Sequence, residues 1–575
     1  MKYLKRIKID SHELIVVGLI LFAFLLRLGL ISQGWPPTNS DEGTIGLMGL
    51  HIAFKGEHPT FYYGQYYMGP HQAVVAAFFF RLFGPSLFLL RLGLLCIFTL
   101  FLISTYALTR ILYSKGWALV SLFMLSVGSI YMLERELTAI GGYTETLLFG
   151  SLLMLLASWL VVSYRPYRLF HERRWRIAIY LLWGIIAGTA IWDDLLIAPF
   201  ALMAGLVLVI FCWREMLQLV TPIATLIGLL IGVFPLLYYN LHAERGKDSL
   251  TTLLKLSGSS HLSTGEKIAG IIRSIGMSVP MMTGEPFCQA NELHFLGPLT
   301  SYDPGCMLIR RLWGYGYMLL FVVAVLLALW GLWLAIRARW SKRHVELTQA
   351  EQETQRWLRR QGIHLALLIS GILTFYIYAV SKAPLDWPAI HARYLIGLLI
   401  VMPAIFWPLW QGLTLVRSSV GKVAQLRRIV CGSLLALVSI LLVVGSITAY
   451  ADVPEVRARN EHDQALISTL VEHNALHIYS EYWTCNKLIF LSNERIICAV
   501  LSPKLRDTHN RYHSYYDIVK ADPQAVYAFP IDSEYVARTS DGKGYRVPAV
   551  DALAHDKHLT FQILYAAGYV LYLPG

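Results

Sequence analysis

The chain reads SDEG at residues 40 to 43 and TFYYGQYYMGPHQ at residues 60 to 72, within a segment from Trp35 to Leu90 that follows its first long apolar run. Ser40 is a candidate helix N-cap, so Asp41 and Glu42 are expected in the first helical turn, where unpaired amides and the helix dipole favour ionised carboxylates. A carboxylate fixed there accepts a proton from a hydroxyl, orients a cation, or only caps the helix. The pair alone leaves these alternatives open.

The composition predicts a polytopic α-helical membrane protein. The chain of 575 residues is 56% hydrophobic and 15% charged, with a mean hydropathy of +0.52, which is too apolar for an ordinary soluble protein. A spanning helix needs about 20 apolar residues, and about eleven runs qualify. They lie near residues 14–32, 87–109, 117–133, 143–162, 177–192, 195–212, 219–239, 313–336, 362–380, 394–416 and 429–450. The first run has no small-residue cleavage site and is expected to remain as an anchor.

Basic residues predict the orientation, because Lys and Arg resist translocation. They are concentrated in every second loop, for example in RPYRLFHERRWR and RSSVGKVAQLRR. These loops all lie in the cytoplasm if the N-terminus is cytoplasmic. The formal net charge of +12 is therefore a topology signal, and no nucleic acid is expected as a partner. Residues 1–450 then form a transmembrane domain with outer loops 33–86 and 240–312, and residues 451–575 form an extracytoplasmic domain.

Four of the seven cysteines lie on the predicted outer side, and they fall into two pairs. Cys288 and Cys306 share the loop 240–312, and Cys485 and Cys498 share the C-terminal part. Each pair would close a short ring worth about 3 kcal/mol against the unfolded chain. Two disulfides in an oxidising compartment are predicted, and four free thiols in a reducing space are the alternative.

Several polar side chains of the apolar part have two readings. Arg27 lies near the outer end of the first span, where an arginine snorkels to the headgroups or binds an anion. The tyrosines of the loop 33–86 form an interfacial belt or stack on a sugar face; they are Tyr62, Tyr63, Tyr66 and Tyr67. Residues 71–83 are too short to span and are predicted to form a helix in the interface.

Two later segments bring further charge to the same side. Asp193 and Asp194 stand between two spans, so they either mark a turn at the interface or face a wet cavity. The loop SKAPLDWPAIHARY, residues 381–394, carries His391 and Arg393 to the mouth of a late span. The guanidinium fork of Arg393 matches the oxygens of a phosphate, and contact with lipid headgroups is the alternative.

The C-terminal part alternates helical and strand patterns, which predicts a small α/β domain. It includes HNRYH at residues 509–513, whose two histidines lack a third ligand in view.

The order of these features resembles the GT-C superfamily of glycosyltransferases, in particular the branch with protein O-mannosyltransferases and aminoarabinose transferases. The resemblance covers about the first 450 residues. Its elements are an apolar span, the pair Asp41 and Glu42, the aromatic segment to Pro70, the amphipathic residues 79–84, Arg91, the GGYTE turn and HARYL.

This resemblance implies a membrane enzyme that takes a sugar from a polyprenyl-phosphate carrier and inverts its anomeric centre. By the same resemblance Asp41 is the general base, and Arg393 and Tyr394 hold the lipid phosphate. Glu42 is the second catalytic candidate, Arg27 is a further candidate for the phosphate site, and His391 is a candidate for the sugar or acceptor pocket. Asp193 and Asp194 are candidates for a second acidic motif that holds a divalent cation in some relatives, and metal dependence stays open. Aminoarabinose transferases carry arginine and tyrosine after the acidic pair, whereas this chain has Gly43 and Thr44, so aminoarabinose is not implied as the donor sugar.

Glycosyl transfer is therefore the predicted activity, with membrane lipid, a polyprenyl-phosphate-linked sugar and a protein, lipid or glycan acceptor as partners. The rivals are a transporter or flippase of lipid-linked saccharides and a noncatalytic cell-surface assembly protein. Transporters place ionisable residues near the membrane midplane, whereas the acids here crowd one interface.

Overall fold

A computed structural model describes residues 11–165, 170–256, 262–285, 288, 304–341, 349–414, 421–540 and 542–575. The first helices are α1 Ser11–Ser32, α2 Ser40–Leu50, α3 His71–Phe83, α4 Leu87–Leu112, α5 Lys115–Ser126, α6 Ile130–Leu137, α7 Tyr143–Val162, α8 Phe170–Asp193, α9 Ala198–Phe211, α10 Trp213–Met216 and α11 Val220–His242. They are followed by α12 Ser249–Leu256, α13 Thr264–Arg273, α14 Val279–Thr283, α15 Pro304–Ser341, α16 Gln349–Ala379, α17 Ala383–Asp386, α18 Leu398–Thr414 and α19 Lys422–Glu472. Short π-helical turns cover His51–Lys55 and Ser274–Ser278, and 3₁₀ turns cover Leu195–Ile197 and Ile390–Leu395.

The apolar helices confirm a multi-pass membrane protein. In the described ranges, eight helices are long and apolar enough to span a membrane: α1, α4, α7, α8, α11, α15, α16 and α19. The other three of the eleven predicted spans differ. The third is the pair α5 and α6, bent by 82°, and the sixth and tenth coincide with shorter apolar helices that cover 195–211 and 398–414. The bend arises because Val127 is extended and Ser129 caps a new helix.

Helices α8 and α11 approach each other through small residues. A Cβ added at Gly184 or Gly188 would lie 2.2 or 2.3 Å from a carbonyl oxygen of α11, and the same holds at Gly228 and Gly232 against α8. Spacing of four residues places each pair of glycines on one helix face, so the two backbones come into direct contact. This packing fixes the end of α8, where Asp193 lies.

Helix α3 confirms the predicted helix at residues 71–83. Its side chains divide into two faces. Ala73, Ala77 and Phe80 are buried against the protein, whereas Phe78 and Leu82 are about 60% exposed. An apolar face without protein contacts at this position fits a helix that lies in the membrane interface.

The C-terminal residues form the predicted α/β domain. Its elements are β1 His477–Ser480, α20 Tyr482–Leu491, β2 Ile497–Val500, α21 His513–Ala521, β3 Val526–Pro530, β4 Ala537–Arg538, β5 Tyr545–Arg546, α22 Pro548–Lys557, β6 Phe561–Ala566 and β7 Tyr569–Pro574. One sheet has the order β2-β1-β3-β7-β6, with β1 parallel to β2 and β3 and with β7 antiparallel to β3 and β6. Helix α19 runs without a break through residue 450 and leads directly into this domain.

Both predicted disulfides are present. Cys288 is joined to Cys306, and Cys485 is joined to Cys498. The second bridge links α20 to β2 and therefore fixes the helix that begins at Tyr482. This helix packs on α2, because Asn486 Nδ2 donates to Thr44 Oγ1 at 2.8 Å and the Asn486 amide donates to Ser40 Oγ at 3.1 Å.

Candidate functional site

Asp41 lies in the first turn of α2, as the sequence predicts, but the helix cap is one residue earlier. The side chain of Asn39, not Ser40, accepts the hydrogen bond from the amide of Glu42, at 3.0 Å. Ser40 instead uses its hydroxyl to hold the backbone of α20. The cap therefore leaves the Asp41 carboxylate available for contacts outside its own helix.

The Asp41 carboxylate meets the C-terminal domain. Its Oδ1 accepts hydrogen bonds from the hydroxyls of Tyr482 and, at 3.3 Å, Tyr62. Nη2 of Arg511 lies 3.6 Å from the same oxygen. No hydrogen bond to Oδ2 of Asp41 occurs among the described residues, and the side chain is 20% exposed. One oxygen is thus held, and the other is left for a ligand.

Burial, followed by the charge of Asp41, raises the pKa of both tyrosines. Each hydroxyl therefore keeps its proton and remains a donor to Asp41. Sequence reasoning did not find Tyr482 or Arg511. The motif HNRYH drew attention to its histidines, whereas its arginine is the residue that reaches the site.

Glu42, predicted as a second catalytic acid, is fully buried and has its oxygens occupied. Oε1 accepts from Arg91 Nε at 2.9 Å and from the Ala139 amide at 3.2 Å, and Oε2 accepts from Arg91 Nη2 at 2.6 Å. A carboxylate that is enclosed and bidentately paired cannot exchange a proton with a substrate without breaking this pair. We therefore assign Glu42 and Arg91 to the structural support of α2.

Arg27, predicted as a phosphate contact, is enclosed in the same way. It forms two hydrogen bonds with Glu136 Oε2, at 2.9 and 2.6 Å, and donates to the Ser126 carbonyl at 2.7 Å. Its side chain is fully buried, and its guanidinium lies 4.1 Å from the ring centre of Phe98. Because Glu136 already neutralises Arg27 inside the helix packing, we do not include Arg27 in the candidate site.

Asp193 and Asp194 lie at the end of α8, beside α3 and α7. Asp193 Oδ1 accepts from His71 Nδ1 at 2.7 Å, and Asp194 Oδ1 accepts from the Leu196 amide at 2.9 Å. Burial raises the pKa of Asp194 to about 7, Asp193 adds to this effect, and the Leu196 amide and Arg393 oppose it. Oδ2 of Asp193 and Oε1 of nearby Glu145 are buried without a hydrogen-bond partner among the described residues.

This acidic cluster is a candidate place for a divalent cation. In the part of the chain that the structure describes, however, no group of three His, Cys, Asp or Glu side chains is arranged as metal ligands. Asp193 already shares one oxygen with His71, and Glu145 Oε2 accepts from Gln72 Nε2 at 2.9 Å. The residues present do not match a metal site, so no step is routed through a metal ion.

Arg393 packs against the rings of two tyrosines. Its guanidinium is 5.6 Å from the ring centre of Tyr143 and 5.5 Å from that of Tyr394. Its Nε is buried without a hydrogen-bond partner, and it forms no ion pair with a described carboxylate. His391 stacks on Tyr394 with 5.4 Å between ring centres. A guanidinium that forms no ion pair and packs against aromatic rings is suited to bind an anion, although Asp194 lies within electrostatic range of it.

Tyr67 lies near arginines from two parts of the chain, Arg511 of the C-terminal domain and Arg393 of the late loop. Burial raises the pKa of its hydroxyl, which lies within electrostatic range of Tyr394, Arg511, Asp194 and Arg393. The arginine that contacts Asp41 and the arginine of the late loop therefore act on the same tyrosine. Tyr67 is therefore near both Arg393 and the arginine that contacts Asp41.

The other two predicted tyrosines lie elsewhere. Tyr66 stacks on Tyr239, with ring centres 6.0 Å apart, near the end of α11. Tyr63 joins a separate network in which His51 Nδ1 lies 2.8 Å from its hydroxyl. On its other side, His51 Nε2 lies 3.1 Å from Glu494 Oε1 and 3.0 Å from the Tyr515 hydroxyl. This network connects the loop after α2 with the C-terminal domain.

Comparisons of the whole fold find similar solved structures of two proteins, ArnT and an archaeal oligosaccharyltransferase. The chain is similar to ArnT of Cupriavidus metallidurans bound to undecaprenyl phosphate, with a TM-score of 0.52 and 12% identity over 97% of each chain. The apo form of that ArnT gives 0.51 with 13% identity and the same coverage. The Archaeoglobus fulgidus oligosaccharyltransferase gives a TM-score of 0.50 and 13% identity, covering 91% of this chain and 70% of that one.

Sequence comparisons add nothing to this likeness, since no family model and no curated protein matches the chain. Identities of 12 to 13% establish the architecture and leave the activity to be argued from the site. The resemblance inferred from the sequence is confirmed at the level of fold: this chain has the GT-C architecture, with eight to nine candidate spans in its described part and a small sheet-containing domain at its C-terminal end.

Proposed function

We propose that this protein transfers a sugar from a polyprenyl-phosphate-linked donor to an acceptor at the extracytoplasmic face of the membrane. The observation that carries the proposal is that Tyr67 lies within electrostatic range of two arginines: Arg511, which contacts the half-satisfied carboxylate of Asp41, and Arg393, which forms no ion pair with a described carboxylate. The GT-C architecture supports it, since ArnT with this architecture binds undecaprenyl phosphate.

The reaction needs three things from the protein: a base, a cationic site for the leaving phosphate and a pocket that orients both substrates. Oδ2 of Asp41 accepts the proton of the acceptor hydroxyl while the acceptor oxygen forms a bond to the anomeric carbon. The bond from that carbon to the phosphate oxygen breaks, and the lipid phosphate leaves with the electron pair. Attack from the face opposite the phosphate inverts the anomeric centre.

Arg393, with Tyr394 beside it, is assigned to the lipid phosphate. A guanidinium without an ion pair gains two charge-assisted hydrogen bonds when a phosphate enters, and the tyrosine rings shield them from water. Tyr62, Tyr67, Asp193, Asp194 and His391 are assigned to the walls of the sugar and acceptor pocket. The acceptor is a protein, a lipid or a glycan that carries the attacking hydroxyl.

We also propose an orientation of the protein in the membrane. The basic loops are assigned to the cytoplasm together with the N-terminus, and residues 451–575 are assigned to the outer side. Two disulfides on that side support an oxidising compartment.

The second candidate is a transporter or flippase of lipid-linked saccharides, which would bind the donor at the same residues without breaking a bond. The two are separated by reconstituting the purified protein in liposomes with a panel of polyprenyl-phosphate sugars. A transferase consumes one donor and releases polyprenyl phosphate when an acceptor extract is present. A transporter moves the intact donor between leaflets and releases no polyprenyl phosphate.

A further inference from the structure

Arg511 lies in the segment that joins β2 to α21 and is only 10% exposed. Its guanidinium is 5.0 Å from the ring centre of Tyr62 and 5.5 Å from that of Tyr482. Rings on which a guanidinium stacks restrict its rotation, and a cation near a ring face is attracted to it. The arginine is therefore fixed before any substrate arrives.

The hydrogen bonds of Arg511 form a chain from its guanidinium through Tyr482 to Asp41. Nε of Arg511 donates to the hydroxyl oxygen of Tyr482 at 2.9 Å, and that hydroxyl then donates its own proton to Oδ1 of Asp41. A phenol that accepts a hydrogen bond from a cation becomes a stronger donor, so the two bonds reinforce each other. Nη2 of Arg511 adds a direct attraction to Oδ1 at 3.6 Å.

We propose that Arg511 is a positioning residue for Asp41, so that the C-terminal domain completes the catalytic site. This inference rests on the proposed function. Arg511 and Tyr482 occupy Oδ1 and orient the carboxylate, which leaves Oδ2 to take the proton of the acceptor.

The surroundings of Arg511 allow a direct test of this role. A cavity of about 310 Å³ borders the side chain and is lined by Gly64, residues 507–511 and His513. Because the cavity opens to solvent on one side of Arg511, a guanidinium ion from solution can reach the space left by Arg511→Ala. A residue needed only for folding is not replaced by a small ion in this way.

The experiment uses the full-length protein in liposomes with the donor found in the panel. We compare wild type, Arg511→Ala, Arg511→Lys and the control Arg506→Ala, an exposed arginine of the same segment. Arg511→Ala is expected to lower kcat at least tenfold, because it removes the charge-assisted hydrogen bond from Nε to Tyr482 and the attraction of Nη2 to Oδ1 of Asp41. The lysine variant keeps the charge and loses the bond from Nε to Tyr482, so an intermediate rate is expected. Arg506→Ala is expected to match wild type.

Two readouts separate positioning from folding. The loss in Arg511→Ala is expected in kcat, with KM for the donor close to the wild-type value, because Arg511 orients Asp41 and is not assigned to the donor phosphate. Millimolar guanidinium chloride is expected to restore at least part of kcat in Arg511→Ala alone.

The inference is overturned if Arg511→Ala keeps the wild-type kcat, or if its lost rate is not restored by guanidinium while its unfolding temperature falls. In either case the proposed function stands, provided that wild type transfers sugar and Asp41→Asn does not. If wild type consumes no donor, or Asp41→Asn retains full turnover, the proposed function fails and this inference fails with it.

Discussion

The Tyr482 hydroxyl donates a hydrogen bond to Oδ1 of Asp41, although 441 positions separate the two residues in the chain. The acid at the start of α2 is therefore oriented by the last domain of the protein. The contact depends on the packing of α20 against α2, which Asn486 secures through two hydrogen bonds.

Tyr482→Phe removes this hydroxyl and leaves the ring in place. We expect kcat/KM for sugar transfer to fall by about tenfold to a hundredfold, because hydrogen bonds to charged groups contribute about 1.5 to 3 kcal/mol. The unfolding temperature should change little, since the ring packing is retained. Steady-state kinetics with a polyprenyl-phosphate sugar checks this, with Tyr516→Phe in α21 as the matched control at a position away from Asp41. A wild-type rate in Tyr482→Phe would show that the contact has no role in transfer.

Glu42→Gln should damage stability and not a chemical step. The buried pair of Glu42 and Arg91 loses one charge, and breaking such a pair costs about 3 to 5 kcal/mol. A clear drop of the unfolding temperature in detergent is expected for this variant. Asp41→Asn, at a side chain that is 20% exposed, should unfold near the wild-type temperature. If Glu42→Gln unfolds like wild type and yet has lost transfer, Glu42 belongs to the catalytic machinery after all.

The contact between the loop after α2 and the C-terminal domain should weaken in acid. Burial raises the pKa of Glu494, but hydrogen bonds from His51, Lys55 and Tyr515 prevail and lower it to about 2. Because this folded-state pKa is below the unfolded value of about 4.3, the stabilisation is complete above that value and is lost as pH falls towards 2. Burial also raises the pKa of Glu57, but hydrogen bonds from Tyr63 and Tyr512 outweigh burial, so the pKa of Glu57 is lowered too.

Hydrogen exchange of α2 and α21 between about pH 6 and about pH 2.5, corrected for the intrinsic rate, measures this effect. We expect protection of both helices to decrease together below about pH 4.3, because the two carboxylates bind protons more readily in the opened state than in the folded state. Glu494→Gln should show reduced protection already at the upper end of this range and a smaller decrease in acid. Protection that rises on acidification would contradict the expected direction.

The bridge between Cys485 and Cys498 should matter for the site as well as for stability. It closes a loop of 13 positions, and such a link contributes about 3 kcal/mol. The double variant Cys485→Ser/Cys498→Ser is expected to lower the unfolding temperature of the C-terminal domain and to reduce transfer, because α20 carries Tyr482. The variant Cys288→Ser/Cys306→Ser provides the matched control, since its bridge lies outside this domain. Equal loss of transfer in both variants would contradict a specific role of α20.

The sequence predicted the features that depend on local pattern. Apolar runs indicated the long helices, the length of the run at residues 71–83 indicated α3, and the pairing of cysteines within each outer segment indicated both disulfides. The acidic pair was placed correctly in the first turn of α2. In each case the information lies within a few tens of residues, where periodicity and composition determine the outcome.

The features that were missed depend on contacts between distant parts. Glu42 and Arg27 were assigned by their position near the membrane surface, and nothing local reveals that Arg91 and Glu136 neutralise them. Arg511 could not be linked to Asp41 without knowing how the C-terminal domain sits on α2. A signal for the packing of α8 and α11 was present in the spacing of Gly184 with Gly188 and of Gly228 with Gly232, and it predicts close approach of the two helices.

The central claim is that Asp41 takes the proton of the acceptor. Its most direct test is a single-turnover assay of Asp41→Asn with the consumed polyprenyl-phosphate sugar, run beside a donor-binding measurement. The matched control is Asp517→Asn, an aspartate that is 68% exposed on α21. Asp41→Asn is expected to bind the donor like wild type and to form no product, while the control turns over normally. Product formation by Asp41→Asn at the wild-type rate would contradict the claim.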